Sequence, residues 1–394
     1  MAAPVMEAVE AIESHLHPTP SWELADHPLP NGREEIWRFS PLRAMRPLLA
    51  DQPSDACLTW SESYPDGVTS RLLTPSEARE LVVEAPVDRV SALAAAHSGG
   101  AQLIEVAAGA ELAEPVSITL SGEGQHVWGN LIFKIGAHAK ATILLRHVGN
   151  ASYAAKVDVL VGDGAVLNFV SIQDWDAEAV HGGHHSVLVG RDAQVRTVTV
   201  SMGGKVVRLA ETAKFAGPGG SIEQFGLYFV DAGQHIEHRL FVDHNAPHTH
   251  SNVDYRGALQ GEGARAVWIG DVLIRKVAEN ISTYESNKNL VLTDGCRADS
   301  VPNLEIETGE IEGAGHSSTT GRFDDEQLFY LRSRGVSEEE ARRLVVHGFF
   351  ADIIRRIGVP DVEQRLMAAV ESELEVIVGN PTAVETTRAA GVAQ

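Results

Sequence analysis

Four glycines keep a nearly constant distance in the middle of this chain. Gly136, Gly162, Gly190 and Gly217 lie 26, 28 and 27 residues apart, each at a turn between short apolar alternations. IGAHAKATILL, VGDGAVLNFV and VGRDAQVRTV share one plan: an aliphatic residue, a glycine, a small or polar turn, then renewed alternation. Alternation with a period of two marks strands. A repeat in the twenties built from such strands marks a coil that cannot bury its own apolar faces and must stack on its neighbours. An antiparallel sandwich also turns every 8 to 12 residues or so and remains a competitor; the return of similar turns at near-constant distance over four coils favours the solenoid. The expected fold is therefore mainly β, a parallel β-helix (β-solenoid) over residues 101–321, with strands of about five to seven residues. Later members, LQGEGARAVWIG and LTDGCRADSV, keep the turn and lose the spacing.

Helical text brackets this core, as the open ends of a solenoid require. Residues 1–100 form a helical or mixed region: APVMEAVEAIESHL has helical spacing, PTPSWELADHPLP is a connector, and SEARELVV (76–83) reads as a short helix opened by a serine cap. Residues 322–379 form a C-terminal helical domain. Asp324 or Asp325 can cap DEQLFYLRSR, and Gly335 ends it. Ser337 with Glu340 makes a capping box for SEEEARRLVVHGFFADIIRRIG, closed by Gly358 and Pro360. Its apolar stripe runs Ala341, Val345, Phe349, Ile353, Ile357, widened by Leu344 and Ile354. DVEQRLMAAVESELEVIV is a further helix, and 380–394 reads as a flexible tail.

Charge narrows the function classes. Fifty-four acidic against 32 basic residues give −22, which argues against binding nucleic acid or an anionic membrane, where clustered Lys and Arg release counterions. Cys57 and Cys296 are isolated thiols, so neither a disulfide framework nor a Cys-rich zinc site is expected, and a reducing cytoplasm suits the chain. Neither a signal peptide nor a run of about 18 apolar residues is legible.

Histidines come in groups: His181, His184 and His185; His235 and His238; His244, His248 and His250. Imidazole clusters suit first-row metals; in a solenoid they also stack in ladders or cap turns. His235 and His238 would fall on opposite faces of a continuous strand and could chelate only through a bulge. Neither a nucleophile elbow, a phosphate loop nor a dinucleotide fingerprint is present. Asp174, Asp176 and Asp243 could in principle serve glycoside chemistry, which keeps a polysaccharide-active β-helix as an alternative, beside a stand-alone histidine metal-binding protein. Cys296 is a candidate thiolate ligand or sulfur acceptor, but a small apolar residue buried after a turn is the better reading. His316 lies in EGAGHSSTTG, a glycine-flanked loop with no apolar face to receive the ring.

Three stretches then resemble one family: FVDHNAPHTHSNVDYRGALQGEGARAVWIGDVLI (241–274), NKNLVLTDGCRADSVPNLEIETGEIEGAGHSSTTG (287–321) and DDEQLFYLRSRGVSEEEARRLVVHGFF (324–350), joined by GREEIWRFSPL (32–42). They resemble the SufB/SufD family, the scaffold subunits of Suf iron–sulfur cluster assembly. Within it the chain looks like the SufD branch. Asn287, Lys288 and Asn289 stand where SufB carries its reactive cysteine, Cys296 does not match that position, and Ser317 follows the histidine where SufB has an acid.

The resemblance implies a right-handed parallel β-helix between helical terminal regions and no catalytic activity of its own. It implies pairing with a SufB-like paralogue, a SufC-like ATPase docked on the C-terminal helices, and a homodimer as a possibility when the chain is alone. It also implies that His316 meets iron or a nascent cluster at the SufB interface, with nothing tightly bound to the isolated chain. Phe329, Arg332, Arg334, Arg343, Phe349 and Phe350 are the residues expected to dock the ATPase.

Overall fold

The computed structural model describes residues 19–322 and 325–378. The helical pattern at 3–16, Asp324 as a cap and the tail at 380–394 lie outside the described residues. Ahead of the solenoid come α1 (Arg46–Leu49), β1 (Thr59–Ser63), β2 (Val68–Leu73), α2 (Pro75–Leu81) and α3 (Arg89–His97). The cap of α2 is Thr74 rather than Ser76. Its hydroxyl accepts the Glu77 N–H, Glu77 reaches back, and Pro75 occupies the first turn, where a missing N–H costs nothing.

From β3 (Ala101–Val106) the chain winds into a parallel β-solenoid of about eight turns. Two long strands, β4 (Val116–Ile135) and β5 (Lys140–Val161), run through a corner without breaking. Two sheets then grow from β5. One continues through β6 (Val166–Trp175), β8 (Gln194–Met202), β10 (Ser221–Val230), β12 (His250–Leu259), β14 (Ser282–Val291) and β16 (Gly313–Arg322). The other continues through β7 (Val180–Val189), β9 (Val206–Phe215), β11 (His235–His244), β13 (Arg265–Ile274) and β15 (Arg297–Ile306). Pairing within each sheet is parallel and residue-for-residue. Strands are longer than the expected five to seven residues, because polar residues continue the rungs past the apolar alternation.

The glycine period is a stack of turns. A Cβ on Gly162 would come 2.6 Å from the Ala137 nitrogen, and one on Gly190 2.6 Å from the Val161 carbonyl oxygen, so close approach of successive coils selects glycine there. Two residues after the glycine, or after Ala246 and Ala278 in the later coils, each turn enters the left-handed region, at His138, Gly164, Asp192, Gly219, His248 and Asn280. The N–H of each such residue donates to the next coil, as from His138 to the Asp163 carbonyl and from His248 to that of Glu279.

Both outer faces are covered. Trp37, Met45, Leu48, Val90, Leu93 and Ala94 of the N-terminal region pack on Trp128, Ala154, Val180 and Val206. On the opposite sheet, α5 (Glu338–Arg356) and α6 (Pro360–Val378) bury Val346, Phe350, Ile353, Ile354, Ile357, Leu366 and Val370 against Val198, Val200, Phe225, Leu227 and Phe229. The buried stripe of α5 is thus rotated from the expected one: Val346 and Phe350 lie inward, while Val345 and Phe349 are half-buried and Leu344 is 48% exposed. α4 (Asp325–Ser333) precedes them and ends at Gly335 in the left-handed region. Among the described residues no helix is long and apolar enough to cross a membrane.

Candidate functional site

The two ends of the solenoid differ. At the first, β1 pairs antiparallel with β4 and β2 with β3, so strands of the N-terminal region, not read as strands in the sequence, close it. At the other, among the described residues, β16 pairs only with β14 and β15 only with β13. Each leaves a free edge, and the residues of these two last strands are all half-buried or exposed.

His316 lies on that last rung. EGAGHSSTTG is a strand rather than a loop: small residues fit the ladder, and pairing with β14 supplies the backbone partners. His316 ends an inward-facing ladder of Thr197, Gln224, Val253, Glu285 and His316. The ring is 43% exposed, with Nδ1 3.9 Å from Oε1 of Glu285, whose side chain is 2% exposed. Across the lumen stand Trp268 and Gly270; a Cβ on Gly270 would lie 2.4 Å from Glu285 Oε2. Glu285 Oε1 and Trp268 Nε1 are buried without a hydrogen-bond partner.

Electrostatics follow from this burial. Burial first, then the nearby Asp271 charge, pushes the Glu285 carboxyl up to about 8. Asp271 is also raised by burial, to about 6, although the Asn303 side chain donates to it at 2.6 Å and Arg239 opposes the shift. At neutral pH Glu285 is largely protonated, so the histidine faces a mostly neutral carboxyl. Behind it runs a polar rung: Tyr228 Oη donates to Asn289 Oδ1 (2.6 Å), Asn287 donates to Tyr228 Oη (2.8 Å), and Asn289 donates to Asn287 Oδ1 (2.7 Å). Asn287 and Asn289 lie within β14, not before a strand beginning at Leu290.

Other sequence candidates fall elsewhere. Cys296 Sγ lies in the turn before β15, 3.4 Å from the Gly261 carbonyl oxygen and 3.5 Å from Thr293 Oγ1. Three of the grouped histidines serve the fold: His181 Nδ1 accepts from Trp175 Nε1, His244 stacks on Phe215, and His248 forms a left-handed turn. Among the described residues no group of three or more His, Cys, Asp or Glu is placed to hold a metal ion. Asp174 pairs with Arg146, and Asp243 with Arg275 on the other sheet, so these acids do not converge. Phe350 is fully buried under α5 and cannot be a docking residue as folded; Phe349 is half-buried beside it. Phe329 and Tyr330 of α4 are 74% and 57% exposed, with the Arg334 guanidinium 5.1 Å from the Tyr330 ring. Arg343 pairs with Glu340. Glu285 and Asp271 escaped the sequence reading; strand parity back from His316 was the signal that could have found Glu285.

Comparison with known proteins adds the rest. A family model described as "SUF system FeS cluster assembly, SufBD core domain" matches residues 118–349. An iron–sulfur cluster assembly SufBD family protein of Mycobacterium tuberculosis is 49% identical over 367 residues, covering 90% of this chain and 92% of that protein. One from Mycobacterium leprae is 46% identical over 372 residues, covering 92% and 95%. The iron–sulfur cluster assembly protein SufD of Escherichia coli is 24% identical over 220 residues, 56% of this chain and 52% of that one.

Proposed function

The chain belongs to the SufBD family of iron–sulfur cluster assembly proteins, and from that premise we propose that it is a SufD-like scaffold subunit rather than an enzyme. The observation that carries this reading is the position of His316: inward-facing, partly exposed, on the free last strand of an open solenoid end. A second β-solenoid of the SufB type would abut that end, pairing with the free edges of β15 and β16. The nascent cluster is then cargo held between the two subunits. A neutral imidazole nitrogen at its rim can ligate iron or take a proton as sulfur moves, and nothing tightly bound is expected on the isolated chain. The exposed aromatic surface of α4, at Phe329 and Tyr330, would receive a SufC-like ATPase, with Arg332, Arg334 and Arg343 around it. A cytoplasmic location fits this reading.

The test is to tag the chain in its own cells, purify it gently and identify its companions. A SufB-like paralogue together with an ABC-type ATPase is the expected result. A chain recovered alone would overturn it. In the recovered complex, His316→Ala should lower cluster formation at least tenfold, and a wild-type rate would remove His316 from the reaction.

A further inference from the structure

Nothing in the family likeness assigns a role to the buried carboxyl behind His316. We infer that Glu285 is a positioning residue for His316: its Oε1 accepts the Nδ1–H of the ring and leaves Nε2 bare toward the open end of the solenoid. The inference rests on the proposed placement of a nascent cluster at that end.

Three observations carry it. The first is register: Glu285 and His316 are direct partners on β14 and β16, on the same inward-facing ladder, so their side chains are neighbours one coil apart. The second is an orphaned atom. Glu285 Oε1 is buried and has no hydrogen-bond partner, and it lies 3.9 Å from His316 Nδ1. A buried acceptor left unpaired is costly, and a small rotation of the exposed ring closes the gap to about 2.9 Å. The third is rigidity. Trp268 and Gly270 wall the carboxyl in from across the lumen, and the backbone N–H of Asn303 on β15 reaches it as well. The carboxyl is fixed and the ring is free, so the ring moves to the carboxyl. The carbonyl oxygen of a neutral carboxyl still accepts the Nδ1–H, more weakly than a carboxylate oxygen; a carboxyl proton carried on Oε1 would instead donate to Nδ1 and give the Nε2-protonated ring that overturns the inference. A histidine whose one nitrogen ligates metal commonly donates its other N–H to such a partner, and loss of that partner costs 10–100-fold in affinity or activity.

The test uses the full chain labelled with 13C,15N-histidine, with the His316 signals identified by their loss in His316→Ala. Long-range 15N–1H correlation then reads the tautomer. Wild type is expected to hold the proton on Nδ1. Glu285→Gln, whose amide oxygen still accepts, should keep it there, and Glu285→Ala should move it to Nε2. A wild-type ring protonated mainly on Nε2 overturns the inference with no variant required, and so does an Nδ1–H that survives Glu285→Ala. In the assembled complex, cluster formation should fall about tenfold in Glu285→Ala and remain near wild type in Glu285→Gln. The tautomer is read without any cluster. An unchanged tautomer therefore sinks the role of Glu285 alone, whereas normal cluster formation by His316→Ala sinks the role of His316 alone.

Discussion

Single residues in this solenoid are constrained by the coils above and below them. Gly226 and Gly257 show this plainly, because each lies under a tyrosine ring of a neighbouring coil. A Cβ on Gly257 would stand 1.8 Å from the Tyr228 ring, and one on Gly226 2.0 Å from that of Tyr255. Gly257→Ala must push Tyr228 out of its bonds to Asn287 and Asn289. Overpacking and a broken polar rung together should cost about 3 kcal/mol or more in urea unfolding. Tyr228→Phe, which keeps the shape and removes only the hydroxyl, should cost less, about 1–2 kcal/mol.

Glu237 is a second constrained residue, and it gives the chain an acid limit. Burial alone would raise its carboxyl, but a bond from His235 and the charges of Arg208 and Arg239 bring it down to about 2. Ser40 of the N-terminal region donates to it, and Arg208 joins Asp88 and the Trp37 ring on the same side. A folded value below the ordinary 4.5 means that the unfolded chain binds the proton more readily. The stabilisation is therefore complete above about pH 4.5 and is lost as the pH falls toward 2. It amounts to at most about 3 kcal/mol. Urea midpoints measured between pH 6 and 3 should fall in wild type, and more gently in Glu237→Gln.

At the scale of elements, α5 and α4 play different parts. α5 is clamped to the outer sheet by Ile353 and Phe350, and by Arg256, which donates to the Phe349 carbonyl oxygen at 3.0 Å and pairs with Asp352 at 3.1 Å. Ile353→Ala should cost about 2–5 kcal/mol. Phe329→Ala, on the exposed face of α4, should leave stability within about 0.5 kcal/mol while weakening capture of the ATPase in pull-down. Equal effects of the two on stability would mean that α4 is core rather than docking surface. The contrast also shows what the sequence could convey. The solenoid was legible because its glycines repeat at contacts between coils, and α5 because its caps and period are local. Which side of α5 faces the sheet was not legible, since the choice between Phe349 and Phe350 is made by the distant Phe225 and Phe229. Nor was β16: GAGHSSTTGR has neither alternation nor β-branched bulk apart from its threonines, and only the rung of β14 beneath it makes it a strand. Glu285 was hidden for the same reason. TYESNKNL shows no apolar alternation, so its parity is fixed only by an interior that tolerates Glu and Asn.

Among the described residues the stack has one finished end and one unfinished. At the latter the outer edges of β15 and β16 are unpaired, and they and the partly buried Leu304 and Ala314 at its mouth leave backbone donors and apolar surface that a folded chain normally covers. On the proposed scaffold reading, another solenoid end would cover it and continue the same pairing, and charge bears on which one. Each copy of this chain carries −22, and Glu307, Glu310 and Glu312 lie exposed between the two edge strands. Two copies meeting end to end therefore bring like charges together, whereas a less acidic paralogue does not. Self-association of the isolated chain should accordingly be weak at low salt and tighten as salt screens the repulsion, because the Debye length falls from about 30 Å at 0.01 M to about 10 Å at 0.1 M. Sedimentation velocity across that range should show the dimer fraction rising with salt, and Ala314→Arg, which puts a long charged side chain at the mouth of the lumen, should abolish it at every salt concentration. A dimer that weakens with salt, or one indifferent to Ala314→Arg, would place self-association on another face and leave the open end to the proposed paralogue.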